Sequence, residues 1–160
     1  FFRIELRPMG FVSFEIAGAG QMRRFARILA EELLKIRPKQ SLLIALSGQL
    51  GGGKTTFVQG FAKGLGIRGK VQSPTFIIQK IYRLKTKNYK LFAHIDAYRF
   101  TKPNEILALG WQGLIQNPGN IVIVEWAENI KKFLTKNRID IKIDFVSKNK
   151  RKITINGRKN

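Results

Sequence analysis

Gly48-Gln49-Leu50-Gly51-Gly52-Gly53-Lys54-Thr55 fits the pattern G-x-x-x-x-G-K-[ST], and it follows directly on the apolar run Ser41 to Leu46. Residues from Thr56 to Ala62 then read as a helix, so the glycines sit between a strand and a helix. That context constrains the fold more than any other feature of the chain. Gly48, Gly51, Gly52 and Gly53 can take backbone conformations closed to residues with a Cβ, so the loop can turn its N–H groups inward as an anion cradle. The N-terminal end of the following helix adds a positive dipole at the same place. The pattern predicts a nucleoside triphosphate site, with Lys54 reaching the β- and γ-phosphates and the Thr55 hydroxyl placed for Mg²⁺.

The order of elements predicts an α/β fold. Phe11 to Ile16 alternates as a short strand, and Met22, Phe25, Ala26, Leu29, Leu33 and Ile36 recur at helical spacing over 21–36, ahead of Pro38. The helix after the glycine loop closes near Gly64 to Gly66. Thr75 to Leu84 and Tyr89 to Ala97 read as strands joined by the turn Lys85-Thr86-Lys87-Asn88, and two short helices are expected over 103–109 and 111–116, broken at Gly110. Ile121-Val122-Ile123-Val124 is apolar throughout, as in a strand covered on both faces. Asp140 to Val146 and Arg151 to Asn156 form a closing hairpin. The sum is a single P-loop NTPase domain over 1–160: a mixed central sheet, helices on both faces, parallel near the nucleotide and antiparallel at one side. Because Met9 follows an opening Phe1, residues 1–8 are expected to precede the natural start or to belong to a fragment.

Two carboxylates stand at strand ends. Glu125 closes the run Ile121 to Val124, and Asp96 closes His94-Ile95-Asp96. In open α/β sheets the C-terminal edge of the strands borders the ligand, where a carboxylate can hold Mg²⁺ or orient a water. Either acid could equally cap a helix or pair with a lysine; two of them beside one glycine loop favour chemistry. Ser73-Pro74-Thr75 offers hydroxyls on a fixed path and reads as a switch segment or a plain turn. His94, the only histidine, shares a strand face with Asp96 and is expected as a buried, hydrogen-bonded residue rather than a catalyst. Trp126 either packs in the core or covers the nucleotide.

Charge and composition narrow the classes. No cysteine is present, which removes thiolate metal sites and thiol catalysis and suits a cytoplasmic location. No apolar run approaches a membrane span. Thirty Lys and Arg against 10 Asp and Glu, a formal net of +20, favour polyanionic partners such as RNA, or reflect lysine bias alone. The clusters Lys80, Arg83, Lys85, Lys87, Lys90 and Lys148, Lys150, Arg151, Lys152 are not interleaved with aromatics in the manner of a base-stacking platform, so a contact there would be electrostatic rather than sequence-reading.

Taken in order, the P-loop, Ser73-Pro74-Thr75-Phe76, His94-Ile95-Asp96-Ala97-Tyr98-Arg99, Glu105 to Gly110 and Glu125-Trp126 resemble the TsaE family, also called YjeE, over residues from about 11 to 156. The resemblance implies an ATPase needed for the tRNA threonylcarbamoyladenosine modification. In that pathway TsaB and TsaD transfer the threonylcarbamoyl group, and ATP binding and hydrolysis support turnover of their complex. It implies ATP and Mg²⁺ as ligands: Lys54, Thr55 and the neighbouring Thr56 at the phosphates and metal, Glu125 at Mg²⁺, Asp96 in hydrolysis, Ser73 and Thr75 in a switch, Trp126 beside the site. Arg99 is the candidate arginine finger. Three positions depart from the family's pattern: Gln49 where Asp is usual, Met22 where Thr is common near the base, and Ala97 in place of a bulkier apolar residue. A P-loop small-molecule kinase and a nonenzymatic RNA-binding module remain as alternatives; the first lacks an arginine-rich lid, and the second does not require the intact Lys54, Thr55, Asp96 and Glu125.

Overall fold

Period-two alternation in the central strands decides which residues face which layer. A computed structural model describes residues 11–72, 74 and 76–158. Seven strands form one sheet in the order β1-β7-β6-β2-β5-β4-β3. They are β1 (Val12–Ala17), β2 (Leu42–Gly48), β3 (Gln79–Arg83), β4 (Leu91–Asp96), β5 (Asn120–Glu125), β6 (Arg138–Ser147) and β7 (Lys150–Arg158). The four inner strands β6, β2, β5 and β4 are mutually parallel. The expected antiparallel side is present as β6, β7 and β1, and β3 adds a second antiparallel pairing at the opposite edge.

Odd and even positions of these strands feed two separate cores. Ile44, Leu46, Phe92, Ile121, Ile123, Ile141 and Ile143 pack under helices α1 (Gly18–Leu33) and α2 (Lys54–Gly64). Leu43, Ala45, Ala93, Ile95, Val122 and Val124 face the other way, against Ile106, Trp111, Leu114 and Ile130. Those four come from α3 (Trp111–Gln116) and from two 3-10 segments, Pro103–Leu109 and Ala127–Phe133. Every residue of β5 is buried, as a strand covered on both faces requires.

Local chemistry explains the differences from the sequence reading. α1 starts at Gly18 rather than near residue 21, because Gly18 turns with φ +72° and its N–H donates to the Asn149 carbonyl at 2.7 Å. Its regular part ends at Leu33, ahead of Pro38. The segment 103–109 is a 3-10 turn rather than an α-helix; Pro103 opens it, and the Glu105 carboxylate accepts from the N–H groups of Thr101 and Lys102 at 2.8 and 2.7 Å. These bonds hold the Glu105 carboxyl below the usual range. β3 begins at Gln79, later than the expected Thr75, because Ile78 stands at φ +65°, outside extended backbone. Residues 1–8, Ser73 and Thr75 lie outside the described residues.

α1 and α2 meet where α2 carries Gly60 and Gly64. A Cβ built on Gly60 would lie 2.3 Å from the Arg23 carbonyl oxygen, and one on Gly64 2.4 Å from that of Arg27. Helix propensity alone favours alanine at either place by about 1 kcal/mol. The backbone contact reverses that preference, since α1 must move away to admit a methyl group. Gly60→Ala is therefore expected to lower unfolding free energy by about 1–3 kcal/mol in urea titration; a stabilised variant would show that the helices are not held at this distance.

Candidate nucleotide site

The parallel inner strands bring their C-terminal ends to one edge, and three of those ends carry the candidate site. β2 stops at Gly48, β5 at Glu125 and β4 at Asp96, with Leu46 and Asp96 both in register with Glu125. Gly48 is imposed by its neighbour: it pairs with Ile143, and a Cβ would fall 2.1 Å from the Ile143 carbonyl oxygen. Gly51 and Gly53 have φ of +71° and +104°, and Gly53 caps α2, accepting from the Phe57 N–H at 2.9 Å. The Gly52 N–H closes the loop onto the Gln49 carbonyl at 3.0 Å.

Lys54 is buried, and its Nζ donates to the carbonyls of Gly48 and Gln49 at 2.7 and 2.8 Å. The ammonium also sits 4.0 Å from the Trp126 ring centroid. Burial holds its pKa below the ordinary lysine value, opposed by the charges of Glu125, Glu128 and Asp96. A loop-bound cation is thus surrounded by three acids from three different segments.

Glu125 is 2% exposed and joins two elements. One oxygen lies 2.7 Å from His94 Nε2; the other accepts from the Thr55 hydroxyl at 3.4 Å. His94 is fully buried, and its Nδ1 has no hydrogen-bond partner among the described residues. Asp96 is 4% exposed, and its Oδ1 accepts from the Tyr98 N–H at 2.9 Å. The chain then crosses back: the Ala97 N–H donates to the Glu125 carbonyl at 3.0 Å, and Asn129 Nδ2 to the Ala97 carbonyl at 2.9 Å. Ala97 is fully buried under this crossing. Trp126 turns out of β5 with φ +56° and rests on Tyr98, ring centroids 4.9 Å apart.

Around these groups lies an open cavity of about 290 Å³, lined by Leu50, Gly51, Gly52, Gly53, Lys54, Thr55, Thr56, Asp96, Tyr98, Glu125 and Trp126. It combines backbone donors at a helix N-terminus, one ammonium, hydroxyls and two carboxylates, the donor set that phosphate and a hard divalent cation call for.

The family description "Threonylcarbamoyl adenosine biosynthesis protein TsaE" matches residues 17–153. The chain belongs to the TsaE family. Relatives named tRNA threonylcarbamoyladenosine biosynthesis protein TsaE include those of Haemophilus influenzae, 34% identical over 78% of this chain and 76% of that protein, and Rickettsia typhi, 35% over 84% and 88%. The Bacillus subtilis protein of that name is 39% identical over 70% of this chain and 67% of its own length. Among solved structures, Bacillus subtilis YdiB superposes with a TM-score of 0.68 at 27% identity, over 94% of this chain and 87% of that one. TsaE proteins take part in tRNA threonylcarbamoyladenosine biosynthesis, and so does this member. No helix among the described residues is long and apolar enough to cross a membrane.

Against that family frame, ten of the residues singled out in sequence gather at one cavity or directly behind it: Gly48, Gly51, Gly52, Gly53, Lys54, Thr55, Thr56, Asp96, Glu125 and Trp126. Ser73 and Thr75 lie outside the described residues. Arg99 does not line the cavity; its guanidinium stacks 4.8 Å from the ring centroid of the exposed Phe76. Of the departures from the TsaE pattern, Gln49 contributes its backbone carbonyl to Lys54, and Met22 is buried with its methyl 3.5 Å from where a Gly53 Cβ would stand. Tyr98 and Glu128 were not identified as site residues in sequence. A strand-end acid followed two residues on by an aromatic could have pointed to Tyr98; nothing short of the 3-10 turn places Glu128.

His94 fixes which oxygen of Glu125 remains for Thr55. Removing the imidazole leaves a buried carboxylate short of a partner, so His94→Ala is expected to cost about 3 kcal/mol in denaturant unfolding, beyond what a small cavity would take. Stability within about 0.5 kcal/mol of the parent would show that the pair is not formed in solution.

Proposed function

We propose that this chain, acting as one domain, is a Mg²⁺-dependent ATPase of tRNA N6-threonylcarbamoyladenosine modification that works with TsaB and TsaD. The observation that carries the reading is the meeting of Lys54, Thr55, Asp96 and Glu125 around one glycine loop, drawn from the ends of two parallel strands and the start of one helix. Backbone N–H groups of Gly51 and Gly53 and the start of α2 form the phosphate cradle. The Lys54 ammonium, held by the Gly48 and Gln49 carbonyls, exchanges those acceptors for phosphate oxygens at short reach. Burial lowers its pKa, and the charges of Glu125, Glu128 and Asp96 oppose that shift.

The donor set fits Mg²⁺. The Thr55 hydroxyl and the Glu125 carboxylate already face each other, and both are hard oxygen ligands. When bound, the metal would neutralise negative charge developing on the phosphates. Thr55 would hold it directly and Glu125 from behind, with His94 keeping Glu125 turned toward Thr55. Asp96, on the next strand, is the group for the attacking water, oriented by the Tyr98 N–H at its other side. Thr56 adds a hydroxyl to the cradle, and Ser73 and Thr75 keep the switch role given by their motif. Trp126 and Tyr98 form an aromatic wall beside the phosphates.

Among the described residues no arginine lines the cavity, so the charge stabilisation they offer the transition state is incomplete. Slow hydrolysis alone and faster hydrolysis with TsaB and TsaD follow. Steady-state ATP turnover with and without both partners is expected to show stimulation that disappears in Lys54→Ala and falls at least a hundredfold in Glu125→Gln, with folding unchanged by circular dichroism. Turnover equal with and without partners, or unaltered in either variant, would reject the assignment. A second measurement needs no partner. Trp111 is buried and Trp126 lies against Lys54, so addition of Mg²⁺ and ATP should change tryptophan emission in the parent and leave Trp126→Phe unresponsive. A response retained in Trp126→Phe would place the nucleotide elsewhere.

A further inference from the structure

The stretch from Leu33 to Ile95 holds twelve Lys and Arg and no Asp or Glu; all ten acids of the chain lie outside it. Lysine bias spread along a sequence does not produce such a division, because it does not exclude acids from one third of the chain. The fold then concentrates the charge. α1 and α2 both start at the edge that carries the glycine loop and end at the opposite edge, where the hairpin between β3 and β4 also turns. Asn88 Nδ2, in that turn, donates to the Leu34 carbonyl at the end of α1 at 3.0 Å, so the three segments are in contact. Lys54 alone among the twelve lines the nucleotide cavity. Lys63, Arg68, Lys70, Arg83, Lys85 and Lys87 are exposed at the far pole, about 16 Å away by the length of α2.

A cleft of about 720 Å³ opens there, between the end of α2 and β3. Arg68, Arg83 and Lys85 line it, with Ile67, Ile81 and Tyr82 as its apolar part and no acid in its wall. Among the described residues none of these three cations has a carboxylate partner. Elsewhere some cations are paired, Arg27 with Glu31, Arg138 with Asp140 and Lys142 with Asp144, and at this pole Lys35 pairs with Glu32 at the end of α1. A helix C-terminus favours a cation, which accounts for Lys63 and Lys35. It does not account for Arg83, Lys85 and Lys87 on a hairpin. Tyr82, stacked on Phe92 at 5.8 Å and half-buried, leaves part of an aromatic ring toward the cleft.

We propose that this pole is an RNA-binding surface: Arg68, Arg83 and Lys85 contact the phosphate backbone, and the Tyr82 ring supports a ribose or base. Unpaired cations around a cleft with one aromatic face suit a polynucleotide, whose bound counterions are released on contact. The choice of RNA among polyanions rests on the family's place in tRNA modification. The anion preference of the cleft does not depend on the ATPase reading, since the two sites share no residue. tRNA would therefore be held by a face turned away from the nucleotide.

The test is fluorescence anisotropy of an unmodified tRNA transcript with the full chain, in salt from about 50 to 200 mM. The parent, Lys54→Ala, the triple variant Arg68→Ser/Arg83→Ser/Lys85→Ser, and a control that removes equal charge, Lys131→Ser/Lys132→Ser/Lys136→Ser, are compared. The triple variant is expected to bind at least tenfold more weakly, with the slope of log K against log salt reduced by about 2–3. The control and Lys54→Ala should bind as the parent does, and the triple variant should keep the parent's ATP turnover. Equal weakening in the control would mean diffuse attraction by net charge and would overturn the proposal, as would unchanged binding in the triple variant. A triple variant that binds tRNA normally but no longer associates with TsaB and TsaD would make the cleft a protein-docking face, which also overturns it. If Lys54→Ala and the parent hydrolyse ATP equally while the tRNA result holds, the ATPase reading fails and this one stands.

Discussion

Parallel pairing of β2 with both β5 and β6, and of β5 with β4, is the constraint on which the rest of the molecule depends. Strands covered on both faces have no polar side to expose, so their ends are the only places where polar side chains can gather. Because the four strands run the same way, those polar ends fall at one edge. Gly48, Glu125 and Asp96 are neighbours for that reason although about 30 to 77 residues separate them in sequence. The α1–α2 contact through Gly60 and Gly64 serves the same end, since it sets where α2 begins and hence where Lys54 and Thr55 stand relative to Glu125.

Much of this was legible in sequence, for identifiable reasons. The glycine loop could be read because its residues are demanded by backbone geometry, which leaves a local mark: Gly48 must pass the Ile143 carbonyl, and Gly53 must turn with φ +104° into α2. Glu125 and Asp96 could be read because a single acid closing an apolar strand is conspicuous. His94 was expected to be a buried, hydrogen-bonded residue, and it is, with Glu125 as partner. What stayed hidden depends on contacts between segments. Lys54 over Trp126, Tyr98 against Trp126, and Glu128 within range of Lys54 all require the turn at Trp126 with φ +56°, a conformation that an aromatic residue does not advertise. The late start of β3 has the same origin, because Ile78 at φ +65° is β-branched and read as strand. Its carbonyl nevertheless accepts from the Asp96 N–H at 2.8 Å, which ties this unusual residue to the end of β4.

Buried charge at the site is balanced locally rather than by solvent. Lys54, Asp96 and Glu125 are each 5% exposed or less, a costly arrangement unless partners are supplied. Two backbone carbonyls and an aromatic face serve the lysine; an imidazole and a hydroxyl serve Glu125; an amide serves Asp96. Each of these partners except His94 borders the cavity or forms the loop beneath it, so a phosphate or metal entering there would compete for groups that already hold one another. The site is pre-assembled without being closed off from the cavity.

The same geometry separates two kinds of charge. At the C-terminal edge of the strands, Lys54 feels the charges of Glu125, Glu128 and Asp96. At the opposite edge, Arg68, Arg83 and Lys85, from the end of α2 and the β3–β4 hairpin, line a cleft with no acid in its wall. A mixed site favours one small ligand of fixed shape, whereas a one-signed surface favours a long polyanion and responds to salt. Since α2 runs from one edge to the other, any force that tilted it on RNA binding would act on Lys54 and Thr55 at its first turn.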